Sequence, residues 1–205
     1  MKLSTLALLG LVASGASQAA TFDYTGNISY HNDVLEIPFT LSTDTNNVTV
    51  WTDSYLDGLN FDPITAVWQQ SGSDYSLLGQ NDDNPSIMPG LTRFDSGLTF
   101  SNLAAGNYLF TIAAYNNWAS GSTLSQGFAF DSQTPVALAD WTQPASHRGM
   151  GSVVSVHLTG VDSAVLPPVT APVPEPETFV LMGLGLLGLL ASKRKPKNSA
   201  KQVFA

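Results

Sequence analysis

Short segments with strand-like periodicity dominate the chain between residues 21 and 163. In these segments β-branched and aromatic residues alternate with polar ones or form short runs, which is typical of β-strands. Turn-forming residues separate them, and no stretch of this region has a capped helical period. The pattern predicts an all-β fold, a single β-sandwich or jelly roll. The segments include NVTVWTDS, ITAVWQQ, GNYLFTIAAY, GFAFDS and SVVSVHLTGV, and the turns include SGSD at 71–74 and DDNP at 82–85.

Composition excludes several classes of function for the predicted domain, residues 20–163. The chain has no cysteine, so thiolate catalysis and thiolate metal ligands are excluded, and about 145 residues must build a core without disulfides. Between residues 20 and 173, fourteen carboxylates stand against two arginines, Arg93 and Arg148, a net charge of −12 before the histidines. Such an acidic domain repels phosphate backbones, so we expect no nucleic-acid partner. Divalent cations are its natural counter-ions.

The first nineteen residues predict a signal peptide. Lys2 supplies the positively charged start, residues 6–12 are apolar, and Ser17 and Ala19 provide small residues at the −3 and −1 positions of a cleavage site. We therefore expect export through the Sec machinery and cleavage by signal peptidase between Ala19 and Ala20. The mature chain would then begin at Ala20.

The C-terminal end has three parts: a proline-rich linker at residues 164–178, an apolar run at 179–192 and a basic tail at 193–205. The linker should be extended because it holds five of the chain's twelve prolines. About 14 helical residues rise roughly 21 Å, less than the roughly 30 Å of a membrane's hydrocarbon core. The apolar run therefore predicts a hydrophobic membrane helix that spans only marginally or transiently. Five cations after it should keep the tail cytoplasmic.

Pro174-Glu175-Pro176, a short Gly/Leu-rich apolar run and a cationic end follow one another in this region. Their order resembles the PEP-CTERM sorting signal of Gram-negative bacteria, although the basic end is unusually long here. The resemblance implies an exported substrate of an exosortase that is associated with the inner membrane during sorting. It would then lie at the cell surface or in the extracellular matrix, with a structural or adhesive role associated with exopolysaccharide. The three parts also match other removable C-terminal tails. These combine a recognition motif, a short apolar segment that holds the chain in the membrane, and a charged segment that stops further export.

The predicted domain has a resemblance of its own. Phe61-Asp62-Pro63 opens one strand pattern, an Asp-Asp loop follows the next, and Leu103, Gly106 and Tyr108 form a Leu-x-x-Gly-x-Tyr pattern. This order is similar to the bacterial pre-peptidase C-terminal family of extracellular jelly-roll modules, over residues 21–130. The resemblance implies a PPC-like accessory domain without enzymatic activity.

The sequence contains no catalytic constellation. Glu36 is the single glutamate of the predicted domain, and no pair of aspartates is set apart by its context for acid–base catalysis. His31, His147 and His157 lack the spacing of a zinc site. We therefore expect no catalytic residues and no enzymatic activity.

Asp62, Asp82, Asp83 and Asn84 are candidate ligands for a metal ion. Asp62 opens one strand and the other three follow the next strand, so a hairpin that turns at Gly72 would bring them together. Calcium takes about six to eight oxygen ligands, which an Asp/Asn-rich loop can provide. If a cofactor binds here, we expect Ca²⁺. The same residues are also common in turns, and a loop that binds nothing is the alternative.

Four tryptophans raise the alternative of carbohydrate binding. Trp51 and Trp68 lie in strand patterns and are expected in the core. Trp118 follows Asn116-Asn117 in a predicted loop and is the better candidate for stacking on a sugar ring, for example in exopolysaccharide. The sequence thus leaves open a structural or adhesive module, a calcium-binding module and a carbohydrate-binding module.

Overall fold

The computed structural model describes residues 20–142 and 149–165. The chain divides into two units, residues 1–169 and 170–205, and the described residues belong to the first. The predictions for the signal peptide, the sorting motif Pro174-Glu175-Pro176, the apolar run and the basic tail lie outside the described residues. Within the described part, no helix has the length and apolar character needed to cross a membrane.

Nine strands in these residues form two antiparallel sheets, which confirms the predicted all-β sandwich. They are β1 (Ala20–Asn27), β2 (Val34–Leu41), β3 (Val48–Thr52), β4 (Pro63–Ser71), β5 (Asp74–Asn81), β6 (Gly97–Phe100), β7 (Gly106–Ala114), β8 (Val153–Val161) and β9 (Ser163–Ala164). One sheet has the strand order β1-β8-β3-β6, and the other has the order β5-β4-β7-β2-β9. The predicted domain boundary at residue 163 falls within β9.

Alternation along the strands buries one face of each sheet. In β8, Val154, Val156 and Leu158 are fully buried, and the residues between them are partly exposed. Ile37 and Phe39 of β2, in the other sheet, are buried as well. These side chains belong to one core between the sheets. Because each such side chain contributes about 1.5–3 kcal/mol when buried, this core accounts for a domain that folds without disulfides.

A second apolar cluster lies on the outer face of the five-stranded sheet. Trp68 of β4 and Leu109 of β7 point outward there and pack against Leu124 and Phe128. The indole N–H of Trp68 donates a hydrogen bond of 3.0 Å to Thr111 Oγ1, so this buried polar group is satisfied. The segment after β7 therefore forms a layer outside the sandwich.

The strand predicted for GFAFDS at residues 127–132 is wrong. The segment forms turns, with Gly127 at a φ of 70° and the Phe128 N–H donating to the Asp131 carboxylate at 2.8 Å. In this segment, aromatic residues alternate with small and polar ones, as they would in a strand. The alternation arises because Phe128 packs on the second apolar cluster, and the segment is not part of either sheet.

The β4–β5 hairpin positions the candidate functional residues. The two strands pair from Thr65 opposite Asn81 to Ser71 opposite Asp74. The chain turns at Gly72, whose φ of 64° suits glycine because it lacks a Cβ. The end of β5 therefore returns to the start of β4, the arrangement on which the predicted metal site depends.

Candidate metal centre

Three carboxylates meet at one end of the sandwich. Asp62 directly precedes β4, and Asp82 and Asp83 directly follow β5. One carboxylate oxygen from each residue lies within 4.8 Å of the corresponding oxygens of the other two. The structure thus brings together three of the four residues predicted as metal ligands.

Two oxygens in this cluster are buried without a hydrogen-bond partner. Asp62 is only 1% exposed, Asp82 is half-buried and Asp83 is exposed. The Oδ1 atoms of Asp62 and Asp82 have no partner in the structure. Leaving a buried polar atom unpaired costs about 1–3 kcal/mol, and more for a charged group, because lost water is not replaced. A cation would satisfy these two atoms.

The same arrangement disfavours ionisation of the carboxylates. Burial, followed by the charges of Asp82 and Asp83, raises the pKa of Asp62 to about 8. Burial and the charge of Asp83 raise the pKa of Asp82 to about 6. Burial also raises the pKa of Asp83, against an opposing effect of Arg93. A divalent cation would reverse these shifts because it stabilises the charged form of each ligand.

Arg93 does not pair with the cluster. Its Cζ lies over the ring of Phe94, 4.2 Å from the centroid. In the described residues, ion pairs are formed by His157, and none joins Arg93 to the three aspartates. Tyr55 packs against Phe94 with ring centroids 4.9 Å apart. Burial and then the charge of Asp62 raise the pKa of the Tyr55 hydroxyl, which keeps this phenol neutral beside the cluster.

Asn84, the fourth predicted ligand, is engaged within its own loop. Its N–H donates to the Asp95 carbonyl at 2.8 Å, and its side-chain amide donates to the Gly97 carbonyl at 3.1 Å. Its side-chain oxygen accepts the Ser86 hydroxyl at 3.2 Å. Asn84 therefore braces the loop after β5, and the three aspartates carry the candidate centre.

Asp95 also supports the centre, and sequence reasoning did not single it out. It is buried, its Oδ1 accepts the Tyr55 N–H at 3.1 Å, and its Oδ2 accepts the N–H and hydroxyl of Thr92 at 2.9 and 2.8 Å. Asp95 thereby joins the loop after β3 to the loop before β6. Tyr55 is 40 residues away along the chain, so no local pattern could have identified this contact.

Trp118, the predicted carbohydrate contact, is half-buried in the segment that follows β7. Its carbonyl accepts the Ala129 N–H at 2.9 Å, which holds its backbone in the outer layer. Among the aromatic pairs of residues 20–142 and 149–165, none includes its ring. A sugar contact at Trp118 stays a prediction.

A second polar cluster lies on the outer face of the four-stranded sheet. His157 Nδ1 lies 2.6 Å from Asp23 Oδ1, and His157 Nε2 lies 3.2 Å from Asp53 Oδ1. The imidazole stacks on Trp51 with centroids 4.9 Å apart. Because the carboxylates face opposite ring nitrogens, they do not converge on a common ion. This cluster links β1, β8 and the segment after β3.

Comparison with known proteins bears on the C-terminal end of the chain. A family model described as the PEP-CTERM protein-sorting motif matches residues 172–195. The match includes Pro174-Glu175-Pro176, the whole apolar run and the first cations after it, which confirms that this part of the sequence is a PEP-CTERM sorting motif. The motif implies an exported protein that an exosortase processes and that is membrane-associated before it reaches the surface. A search of curated proteins found no match to the chain.

Proposed function

We propose that this exported protein carries a non-enzymatic, calcium-binding β-sandwich. Export is supported by the sorting motif at residues 172–195. One observation carries the calcium site: Asp62 Oδ1 and Asp82 Oδ1 are buried without partners beside a third carboxylate, that of Asp83. An ion at this position would replace the water that these oxygens lost on folding.

The ligand set favours calcium over other metals. Calcium binds carboxylate oxygens at about 2.3–2.6 Å, so two ligands of one ion lie at most about 5 Å apart, which the cluster satisfies. Zinc and copper prefer imidazole or thiolate ligands, and the cluster contains neither. Magnesium requires near-ideal octahedral geometry, whereas calcium tolerates irregular shells completed by water. The exposed Asp83 leaves such water access.

At the cell surface, this site would serve a structural or adhesive module. An ion that joins the loop after β5 to the start of β4 would stiffen one end of the sandwich, and Asp95 and Asn84 already brace that loop. The association with exopolysaccharide, the PPC-like relationship and the sugar contact at Trp118 rest on the sequence predictions alone.

Calcium should stabilise the exported protein reversibly. Extracellular modules bind calcium with dissociation constants of about 10⁻⁴–10⁻³ M. At about 10 mM calcium, binding to the folded state would then add about 1.4–2.7 kcal/mol, which raises the melting temperature by several degrees. Thermal unfolding in calcium, in magnesium and in chelator measures this effect.

The Asp82→Asn, Asp83→Asn double variant should lose the response to calcium. Asp140→Asn is the matched control, because it removes an exposed carboxylate outside the cluster and should respond as the wild type does. An equal rise in magnesium, or an unchanged response of the double variant, would mean that the loop is only a turn.

A further inference from the structure

The loop between β3 and β4, which ends at Asp62 of the candidate metal centre, exposes two leucines. Leu59 is 72% exposed, the highest value for any large apolar side chain in the described residues, and Leu56 is 50% exposed. Leu59 lies three residues before Asp62 in the chain. Single exposed apolar residues are common on protein surfaces, but this one short loop exposes two leucines.

The backbone of this loop is held in a disfavoured conformation. Leu56 and Asp57 have φ angles of 51° and 55°, in the left-handed region that residues with a Cβ rarely adopt. Asn60 holds the loop closed, because its side-chain amide donates to the Ser54 carbonyl at 2.8 Å and its N–H donates to the Tyr55 carbonyl at 3.2 Å. Surrounding contacts therefore fix the conformation of this loop. Leu56 is exposed to solvent at a backbone position whose φ angle suits glycine or asparagine better than leucine.

Tyr55 connects this loop to the metal centre. Its N–H donates to Asp95 in the loop that carries the centre's other side, and its hydroxyl experiences the charges of both Asp57 and Asp62. Arg93, the only lysine or arginine in the described residues, acts on the same hydroxyl. At the end of the sandwich where the three carboxylates meet, Tyr55 thus joins the loop of the two leucines to the loop that carries Asp82, Asp83 and Arg93.

We propose that this end of the sandwich docks on a phospholipid membrane when calcium is bound, an inference that rests on the proposed calcium site. Three side chains leave coordination positions of the ion open, and phosphate oxygens of lipid headgroups can fill them. Leu56 and Leu59 would enter the apolar layer, while Arg93 would pair with a neighbouring phosphate. Without the ion, the acidic domain is repelled by the same phosphates.

The exposed leucines favour a membrane over a soluble anionic partner. A polysaccharide carboxylate could also complete the calcium shell, but it offers no apolar phase to two leucine side chains. The sorting motif implies that the chain passes a membrane on its way to the surface, so a lipid surface is within reach of the exported domain.

The absence of cysteine allows a local test on the full chain. An environment-sensitive fluorophore is attached to Leu59→Cys, and the protein is mixed with phosphatidylglycerol-containing vesicles in calcium or chelator. We expect a blue shift when calcium and vesicles are both present, and none with either alone. The matched control is Ser73→Cys, at the exposed turn beside Gly72 on the opposite end of the β4–β5 hairpin. Its label should not respond, which separates docking of the loop from anchoring by the C-terminal tail.

A second variant measures the contribution of the leucines. Leu56→Ser, made in the labelled Leu59→Cys chain, should weaken calcium-dependent vesicle binding by about three- to tenfold, because Leu56 is 50% exposed and can bury only about half of a leucine side chain's surface in the membrane. Thermal stabilisation by calcium without vesicles checks that this variant is folded.

The outcomes separate the two proposals. If calcium stabilises the protein but the label at position 59 shows no blue shift with vesicles and calcium, membrane docking is wrong and the calcium site stands. If calcium neither stabilises the protein nor shifts the label, both proposals fail. A shift without calcium, an equal shift at position 73, or the same shift with soluble polygalacturonate in place of vesicles would also overturn membrane docking.

Discussion

Asp62 is the residue whose ionisation opposes folding most clearly. Its side chain is buried, one of its oxygens has no partner, and its pKa is raised from 3.8 to about 8. Between these two values the folded state holds a proton that the unfolded chain releases. The contribution of Asp62 to stability is therefore complete below about pH 4 and is lost as the pH rises through about 8.

We expect the metal-free protein to become less stable from pH 5 to pH 9. Asp62→Asn replaces the titrating group with a neutral amide of similar shape, so it should flatten this fall. At pH 9 the variant should melt several degrees above the wild type in chelator, because the pKa shift is large. Calorimetry at constant ionic strength measures both profiles. A wild-type melting temperature that increases across this range would contradict the assignment.

At the level of elements, β3 and the loop after β5 together approach β6 so closely that position 97 requires glycine. A Cβ on Gly97 would lie 2.6 Å from the Val50 carbonyl oxygen and 2.7 Å from both Trp51 Cβ and Ile87 Cδ1. Val50 and Trp51 belong to β3, whereas Ile87 belongs to the loop that begins with Asp82 and Asp83. Packing at the start of β6 therefore constrains the loop that carries two of the candidate ligands.

Gly97→Ala should weaken both the fold and the cation site. The extra methyl group must displace backbone or the loop, which typically costs about 1–3 kcal/mol. Because displacement of the loop moves Asp82 and Asp83, stabilisation by calcium should also decrease. Urea unfolding with and without calcium tests both effects.

Gly79→Ala in β5 is the matched control for this variant. Its Cβ would meet its nearest neighbours at ordinary contact distances of 3.7 and 4.0 Å. We expect a change within about 1 kcal/mol and an unchanged calcium response. If the two alanine variants behave alike, close approach at Gly97 does not hold the loop.

At the level of the whole molecule, the sorting motif determines where the domain is delivered. If the apolar run inside the matched residues 172–195 is helical, its roughly 21 Å rise falls short of a membrane's hydrocarbon core of roughly 30 Å, so we predict a processing signal and not a durable anchor. Replacing Pro174, Glu175 and Pro176 with alanines should cause unprocessed precursor to accumulate in the membrane fraction. Immunoblots of membrane and surface fractions would detect it.

Alanines at Pro167 and Pro168 provide the control, because they alter the same linker outside the motif. This variant should be sorted normally. Intact mass measurement of the wild-type surface protein gives an independent readout. Retention of residues 179–205 on that protein would show that the tail acts as an anchor and would refute processing.

The sequence by itself determined the features that depend on local pattern. Period-two alternation or a short apolar run identified β3, β4, β7 and β8, because successive side chains of a strand point to opposite faces and a strand covered on both faces is apolar throughout. The glycine turn at Gly72 fixed the hairpin, and the hairpin placed Asp62 near Asp82 and Asp83. The sorting motif was equally accessible because it is linear.

Only the tertiary structure decided what covers each of these elements. The pattern of GFAFDS looked like a strand because packing on an outer layer also requires periodic apolar residues. Asp62 is buried and Leu59 is exposed, although they lie three residues apart in the chain. The difference arises because distant parts of the chain pack around this loop. Asp95, for example, accepts a hydrogen bond from the Tyr55 N–H, 40 residues away. Alternation along a strand reports the two faces of a sheet, but burial depends on which remote segments pack against them. The unpartnered oxygens of the candidate metal centre follow from that packing.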